Sequence, residues 1–180
     1  MKTPWGQAQS IQDESEGIQS VSTSGHGGYK LDRKRNAQVH AAWRKAGGWY
    51  EEDCAWSIVV FTFRSRYDER TVERAIGTLK AMFPDKYTLV TGQEVFLAES
   101  SVLRERAEKQ AALGKWQSYA AWGSWHKDVP EKLVGVVAKI DGREGSGPER
   151  FFLVPAEEYE KRSLVFVVDP ERHAEVSAFN

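Results

Sequence analysis

A chain of 180 residues, with 41% hydrophobic and 28% charged residues, has the size and composition of one globular domain with a buried core. Its 25 basic and 26 acidic side chains give a formal net charge of −1, which excludes the strong positive field of a duplex-binding protein and the dense negative field of a DNA mimic. The single cysteine, Cys54, excludes an intrachain disulfide framework and a cysteine metal cluster.

The same composition favours a cytoplasmic protein. The first six residues lack an apolar run, and no window of the sequence approaches the ~18 apolar residues of a membrane helix. A single cysteine is compatible with a reducing compartment. We therefore expect a cytoplasmic protein that has no membrane partner and for which nucleic acid is not the primary partner. No oligomeric state is predicted.

The N-terminal part is predicted to contain an arm followed by a hairpin. Residues 1–16 are polar and are expected to form an arm, in which Trp5 requires a packing site. The residues from Ile18 to Val21 and from Tyr29 to Leu31 are typical of two short strands. The glycine-rich loop that joins these strands carries His26.

Three helices are predicted from their caps and from the spacing of apolar residues. Asp32 and Asp68 are suitable N-caps, while Gly47 and Pro84 are suitable at or just after a helix end. The predicted helices are residues 33–46, 68–83 and 100–119.

Strands are predicted where apolar residues alternate or follow one another. The clearest strand is Cys54–Phe63, which carries apolar residues on both faces, as a central strand does. A helical turn is predicted over residues 155–161, and the tail at 170–180 is expected to fray. Further strands are predicted at residues 87–95, 133–138, 151–154 and 164–168.

The predicted elements favour an α+β fold. Helices and strands are mixed without the regular βαβ alternation of a doubly wound sheet, and hairpin-like pairs stand near both ends of the chain. We therefore expect a mostly antiparallel sheet with about three helices packed on one face, in a single domain that spans residues 1–180.

The stretch from Gly25 to Ser57 concentrates glycines, aromatic residues and titratable side chains. A histidine such as His26, on an exposed loop, can serve as a general base at neutral pH. The alternative is that the glycines serve the turn and His26 only hydrogen-bonds within it. Cys54 could be a nucleophile, but it begins a run that is predicted to be buried, where a cysteine is usually inert.

Three consecutive acids precede the predicted central strand. Alternation places Glu51 and Asp53 on one side of the strand and Glu52 on the other. Their oxygens could hold a hard cation such as Mg²⁺, or they could pair with the basic helix at residues 33–46. No metal ligand, cofactor or catalytic residue is assigned. If the protein is an enzyme, a small transferase or hydrolase, its site consists of His26, Tyr29, Glu51 and Asp53.

Two sets of residues are candidates for a binding surface. Trp122, Trp125 and His126 cluster within five residues, and they either form a small satellite core or present an exposed aromatic anchor to another protein. Arg33 and Arg35 lie on the predicted basic helix and either contact a partner or pair with the nearby acids.

Four sequence blocks resemble a family of uncharacterised bacterial proteins, a domain of unknown function carried by phages, prophages and conjugative plasmids. The blocks are Thr3-Pro4-Trp5-Gly6, His26-Gly27-Gly28-Tyr29-Lys30-Leu31, Gly47-Gly48-Trp49-Tyr50-Glu51-Glu52-Asp53-Cys54, and Trp122-Gly123 with Trp125-His126 and Val129-Pro130. Small accessory proteins of mobile elements often bind a host machine. The resemblance therefore implies a host protein or protein complex as the partner, including a restriction or CRISPR complex.

Two functions follow as expectations. The first is a non-enzymatic, protein-binding accessory protein of a mobile element that inhibits a host-defence complex. It is favoured because the sequence lacks nucleophile motifs, phosphate loops and a strong charge field, while its aromatic and charged residues suit an interface. The alternative is the small enzyme with its site around His26.

Overall fold

The computed structural model describes residues 1–179. Its contacts divide the chain into two compact units, Met1–Arg104 and Glu105–Asn180, and each is described by itself below. Six α-helices and three sheets are found in the described residues, and every strand pair among them is antiparallel. The predicted α+β class is therefore confirmed, with more helices than the three expected. The prediction of one domain stays a prediction.

The first unit contains a two-stranded sheet of order β1-β2 and a four-stranded sheet of order β3-β4-β5-β6. Its strands are β1 Lys2–Thr3, β2 Gly6–Gln7, β3 Ser10–Ser15, β4 Ile18–Ser22, β5 Gly27–Leu31 and β6 Trp49–Glu51. Its helices are α1 Arg33–Gln38, α2 Trp56–Thr62, α3 Glu69–Met82 and α4 Pro84–Thr91, with 3₁₀ turns at Arg64–Arg66 and Leu97–Glu99. The unit boundary falls within α5, Ser101–Ala112.

One apolar core holds the sheet and the helices of this unit together. Ile18 of β4 lies opposite Leu31 of β5 in the strand register, and both side chains are almost fully buried. They belong to one buried cluster with Ile58 and Val59 of α2 and Leu79 of α3. The predicted hairpin of Ile18–Val21 and Tyr29–Leu31 is therefore present as β4 and β5, with the His26 loop between them.

The predicted N-terminal arm at residues 1–16 stays a prediction, and β1, β2 and β3 occupy most of this stretch. Ile11 is the one apolar residue of β3, so the arm's polar character concealed a strand that is exposed along most of its length. Trp5 does find a packing site, since its ring lies edge-on to that of Trp49 with the centroids 5.6 Å apart.

The predicted strand at Cys54–Phe63 is also wrong, because Trp56–Thr62 is helix α2. A short, continuous apolar run fits a buried helix as well as a buried strand. Glu51 decides between them, because its carboxylate accepts hydrogen bonds from the backbone N–H groups of Cys54 and Ala55 at the start of the helix. These bonds satisfy donors that a helix leaves unpaired at its first turn.

Two further elements of the first unit differ from the prediction. The strand expected at residues 87–95 is in part helix α4, which begins at Pro84, ends at Thr91 and is capped by Gly92 in a left-handed conformation. The helix expected at residues 33–46 ends at Gln38. Arg44 satisfies carbonyl groups near its end, donating 2.8 and 2.9 Å hydrogen bonds to Val39 O and Ala37 O.

The second unit is built on a five-stranded sheet of order β10-β7-β8-β9-β11. Phe152 and Val154 of one central strand and Val136 of its neighbour are fully buried, and they form the core with Phe166 and Val168. The strands are β7 Trp116–Trp122, β8 Leu133–Ile140, β9 Arg150–Pro155, β10 Val167–Val168 and β11 Ala174–Val176, with helix α6 Ala156–Glu160 and a 3₁₀ turn at Gly142–Glu144.

In this unit the strands predicted at residues 133–138 and 151–154 are present as β8 and β9, which pair as a hairpin. The helix expected to reach residue 119 ends at Ala112, because Gly114 adopts a positive φ of 71° and donates its N–H to Asp141. The following tryptophan-rich segment is strand β7. The tail expected to fray contains β11, which pairs with β9.

Candidate functional site

A cleft of about 480 Å³ opens in the first unit between the four-stranded sheet and helices α2 and α3. The sheet contributes serine, glycine and tyrosine residues, and the helices contribute one aromatic and one cationic side chain, together with Val60 and Thr71. Its principal lining residues are Ser10, Ser20, Ser22, Gly27, Tyr29, Glu52, Trp56 and Arg74.

The cleft exists because small polar residues occupy the core-facing side of β4. Residues two apart on a strand share a face, so Ser20 and Ser22 continue the face that Ile18 presents to the core. Larger apolar residues at these positions would extend the core. Serine leaves space and hydroxyl groups instead, and the Ser22 hydroxyl lies 2.8 Å from that of Ser10.

The far wall of the cleft carries the guanidinium of Arg74, which lies over the ring of Trp56 at 5.7 Å from the ring centroid. Arg74 has no carboxylate partner within the part of the chain that the structure describes. The sequence reasoning missed Ser20, Ser22 and Arg74. The sequence did offer a sign of the two serines, because Ser20 and Ser22 follow Ile18 at intervals of two residues, where an apolar face would be expected to continue.

The structure brings His26 and an acid together at this cleft. His26 Nδ1 lies 4.0 Å from an oxygen of Glu52, and their side chains are 57% and 52% exposed. Glu52 lies against Gly27, because a Cβ atom there would be 2.7 Å from the other oxygen of Glu52. The loop is closed by Thr23, whose hydroxyl donates to His26 O at 2.8 Å and accepts from His26 N at 3.1 Å. The backbone of His26 therefore serves the turn, while its side chain faces Glu52.

The other candidate catalytic residues are placed differently. Glu51 is occupied by the backbone N–H groups at the start of α2, and Asp53 is exposed in the same turn. Burial, followed by the charges of Glu51 and Asp53, raises the pKa of Cys54, which disfavours the thiolate that a nucleophile needs. Among residues 1–179 no group of three or more His, Cys, Asp or Glu is arranged to hold a metal ion.

Tyr29, the fourth candidate, lies in the cleft wall and is hydrogen-bonded to Tyr67. Burial raises the pKa of both phenols, and the charge of Glu14 raises both further. Burial of this kind disfavours the charged phenolate, so ionisation of either phenol lowers the stability of the fold. Tyr29 is therefore part of the wall and not a ready proton donor at neutral pH.

This pair predicts a loss of stability in alkali. The contribution of Tyr67 to the free energy of unfolding should be constant between about pH 8 and 10 and fall above pH 10, because the unfolded chain releases the Tyr67 proton near its ordinary pKa of about 10, whereas the folded chain retains it. Urea denaturation between pH 8 and 11 measures the slope. Tyr67→Phe should reduce that slope, and identical slopes for the two proteins would contradict the assignment.

Arg33 and Arg35 do not pair with the acids at residues 51–53 in the described part of the chain. Arg35 is used within the unit, since its Nε donates to Glu16 O at 2.8 Å and its guanidinium lies 5.7 Å from the ring centroid of Phe63. Arg33 is exposed at a polar cavity of about 390 Å³ beside α1. Of the two arginines, Arg33 is the one available for contact.

The aromatic candidates lie in the second unit. His126 stands between Trp122 and Trp125, with ring centroids 6.0 and 5.9 Å away, and Phe179 packs 5.4 Å from Trp122. Trp122 and His126 are half-buried in this cluster, whereas Trp125 is 77% exposed, the highest value among the exposed large hydrophobic side chains. The structure thus combines the two predicted alternatives, because a small aromatic core supports one exposed tryptophan.

None of the helices in the described residues is long and apolar enough to cross a membrane.

Searches of curated proteins and of solved structures each find no match. A family model described as a domain of unknown function, DUF7007, matches residues 1–113. This stretch includes the whole of the Met1–Arg104 unit, with the serine-lined cleft and the His26 loop. Because the match covers more than half of the 180 residues, the chain belongs to the DUF7007 family.

Proposed function

We propose that this protein is a non-enzymatic binding protein whose contact surface is the aromatic cluster of Trp122, Trp125 and His126. The observation that carries the proposal is the 77% exposure of Trp125 on a packed aromatic base. A large aromatic side chain in water has a free-energy cost that burial in a partner removes. Tryptophan is also among the residues that contribute most at protein interfaces.

The packing around Trp125 supports this role because it limits the entropy lost on binding. His126 contacts the rings of both tryptophans and of Phe179, and its backbone N–H donates to Gly123 O at 3.0 Å. A contact residue on such a base is preorganised. The net charge of −1 further favours recognition by shape and specific contacts over attraction to nucleic acid.

The partner we propose is a host protein complex, with inhibition of a host-defence system as the biological effect. The support is the resemblance of the sequence blocks to proteins carried by phages, prophages and plasmids. A cytoplasmic location follows from this partner. Arg33 is a second candidate contact, since it is exposed and forms no ion pair in the described residues.

Trp125→Ala should remove most partner binding. Loss of a central interface tryptophan costs about 2 kcal/mol or more, which is about thirtyfold in affinity. The measurement is affinity capture of the tagged protein from its bacterial host, followed by titration of the captured partner. Phe96→Ala is the control, because Phe96 is also exposed, at 65%, but lies in the other unit. Its binding should equal that of the parent.

Two results would contradict this proposal. One is that the parent protein retains no partner. The other is that His26→Ala abolishes the biological effect while the fold and the captured partner are unchanged. The second result would favour the alternative function, a small transferase or hydrolase that uses His26 and Glu52. The observation in favour of that alternative is their 4.0 Å approach at the edge of the serine-lined cleft.

A further inference from the structure

The outer edge of strand β7 is unpaired over part of its length. Strand β8 pairs with β7 from end to end, whereas β10 pairs with only its first two residues. One more backbone bond follows, from Ser118 N to Phe166 O at 2.9 Å. Beyond it, the outward backbone groups of residues 119–122 have no strand partner in the part of the chain that the structure describes.

A groove of about 750 Å³ runs beside this free edge. Its opposite wall includes Tyr159, Leu164 and Phe166. This wall is tied to helix α5 at Glu108, whose carboxylate accepts hydrogen bonds from the Ser163 hydroxyl at 2.9 Å and from Leu164 N at 3.3 Å. Leu164 is 57% exposed, so the groove presents apolar surface as well as unpaired backbone.

The edge has a bulge between Ser118 and Ala120, but it lacks the protective residues that usually prevent strand addition. Natural edge strands are commonly protected by lysine, proline, a bulge or a covering segment. The free part of β7 is Tyr119-Ala120-Ala121-Trp122, which has neither residue, and Ala121 is exposed. The strand then runs directly into the Trp122, Trp125 and His126 cluster, so edge and cluster form one continuous surface within the second unit.

We propose that a partner protein binds here by adding an extended segment to β7 as a further strand, with a side chain of that segment in the groove. This inference rests on the proposed binding function and specifies its partner. A row of unpaired backbone donors and acceptors is complementary to another extended backbone, whose alternate side chains would supply specificity. Four residues of strand, about 13 Å at ~3.3 Å each, are available for pairing.

The charges in the groove define the segment further. The Arg162 guanidinium stacks on Tyr159, 3.9 Å from the ring centroid, and has no carboxylate partner in the described residues. An acidic residue of the incoming strand would pair with it. Glu160 lines the same wall and would repel an acid placed at its end of the groove. The segment is therefore expected to carry an aliphatic residue and an acid near Arg162.

The probe is a heptapeptide selected from a random display library on the immobilised full-length protein. Ala121→Lys should weaken its binding about tenfold or more, since lysine on an edge strand opposes pairing. The control is Ala174→Lys, because Ala174 is exposed on β11 at the opposite edge of the same sheet. Binding to the control should be unchanged. Equal loss in both variants, or failure to select any peptide, overturns the proposal.

Two further measurements separate strand addition from other modes of binding. N-methylation of single backbone nitrogens of the peptide should abolish binding at every second position and leave it unchanged at the others, because only every second N–H of an added strand faces β7. Arg162→Glu should weaken binding, and replacing the peptide's acid by lysine should restore it. Uniform effects of methylation, or no recovery after the charge exchange, overturn the proposal.

Failure of this inference can be told apart from failure of the proposed function. If the parent and Ala121→Lys capture the host partner equally, strand addition is overturned while binding through Trp125 stands. If the parent captures no partner, the proposed function fails. If the parent forms a dimer that Ala121→Lys abolishes, the occupant of the edge is a second copy of the chain, and the partner-strand proposal is overturned.

Discussion

Gly28→Ala should lower the free energy of unfolding by about 3 kcal/mol or more. Gly28 lies in the middle of the sheet, paired with Val21 on one side and Glu51 on the other, at a φ of +153°. A Cβ atom there would overlap the backbone oxygen of Tyr50 and lie 2.8 Å from the Cα of Glu51. Because both obstacles are backbone, neither can turn away.

The control for this substitution is Gly25→Ala. Gly25 is in the adjoining loop, where a Cβ would meet nothing within 4 Å, and any change in unfolding free energy should stay within about 0.5 kcal/mol. Urea denaturation followed by circular dichroism measures both variants. Similar stabilities for the two would show that β5 and β6 are not in the described contact.

The expected damage extends to the cleft. Gly28 and Gly27 let the β5 backbone approach β6 and the Glu52 carboxylate closely, and the Ser20 and Ser22 face lies beside them. Gly28 thus allows the close packing of β5 against β6, whereas Gly27 allows the Glu52 carboxylate to lie against the loop at the cleft. The sequence identified this loop as unusual, but it could not separate these two roles.

Local rules predicted the elements whose signals are local. Asp32 and Asp68 cap helices as expected, each accepting a backbone N–H three residues later. The apolar runs of β8 and β9 pair as the predicted hairpin. Cap residues and paired runs were sufficient there because each signal lies within or next to the element that it forms.

The sequence failed where a distant or single side chain decides the structure. Trp56–Thr62 is helical because Glu51 binds the first backbone N–H groups, and an apolar run alone does not reveal that bond. The early end of α1 depends on Asn36, buried and bonded to Tyr50 and to Lys45 O. In β7 a bulge between Ser118 and Ala120 shifts the alternation, so aromatic residues three apart imitated a helix.

The candidate site was predicted only in part, for a similar reason. His26 was recognisable from its glycine loop, but its acidic neighbour is Glu52, not Glu51 or Asp53. The choice among three adjacent acids depends on how the chain turns before α2. Arg74 joins the cleft from a helix 48 residues beyond His26, a juxtaposition that only the tertiary fold creates.

Phe152→Ala should lower the free energy of unfolding by about 3–5 kcal/mol, through lost burial and the cavity that remains. Phe152 is 0% exposed in the central strand pair of the second unit, opposite Val136, and its ring lies 6.4 Å from that of Trp116. Phe152 is the largest fully buried side chain among residues 105–179. Because the neighbouring strands fix the backbone around residue 152, the cavity left by the substitution cannot close by collapse of the surrounding residues.

Leu113→Ala is the matched control, since Leu113 is in the same unit but 55% exposed. Its effect should stay within about 0.5 kcal/mol. Native-state hydrogen exchange reports the change where it arises, at the amides of β8 and β9, which should exchange faster in Phe152→Ala than in the control. Unchanged protection of Val136 and Val154 in Phe152→Ala would contradict a core centred on this ring, because those residues are its packing partners.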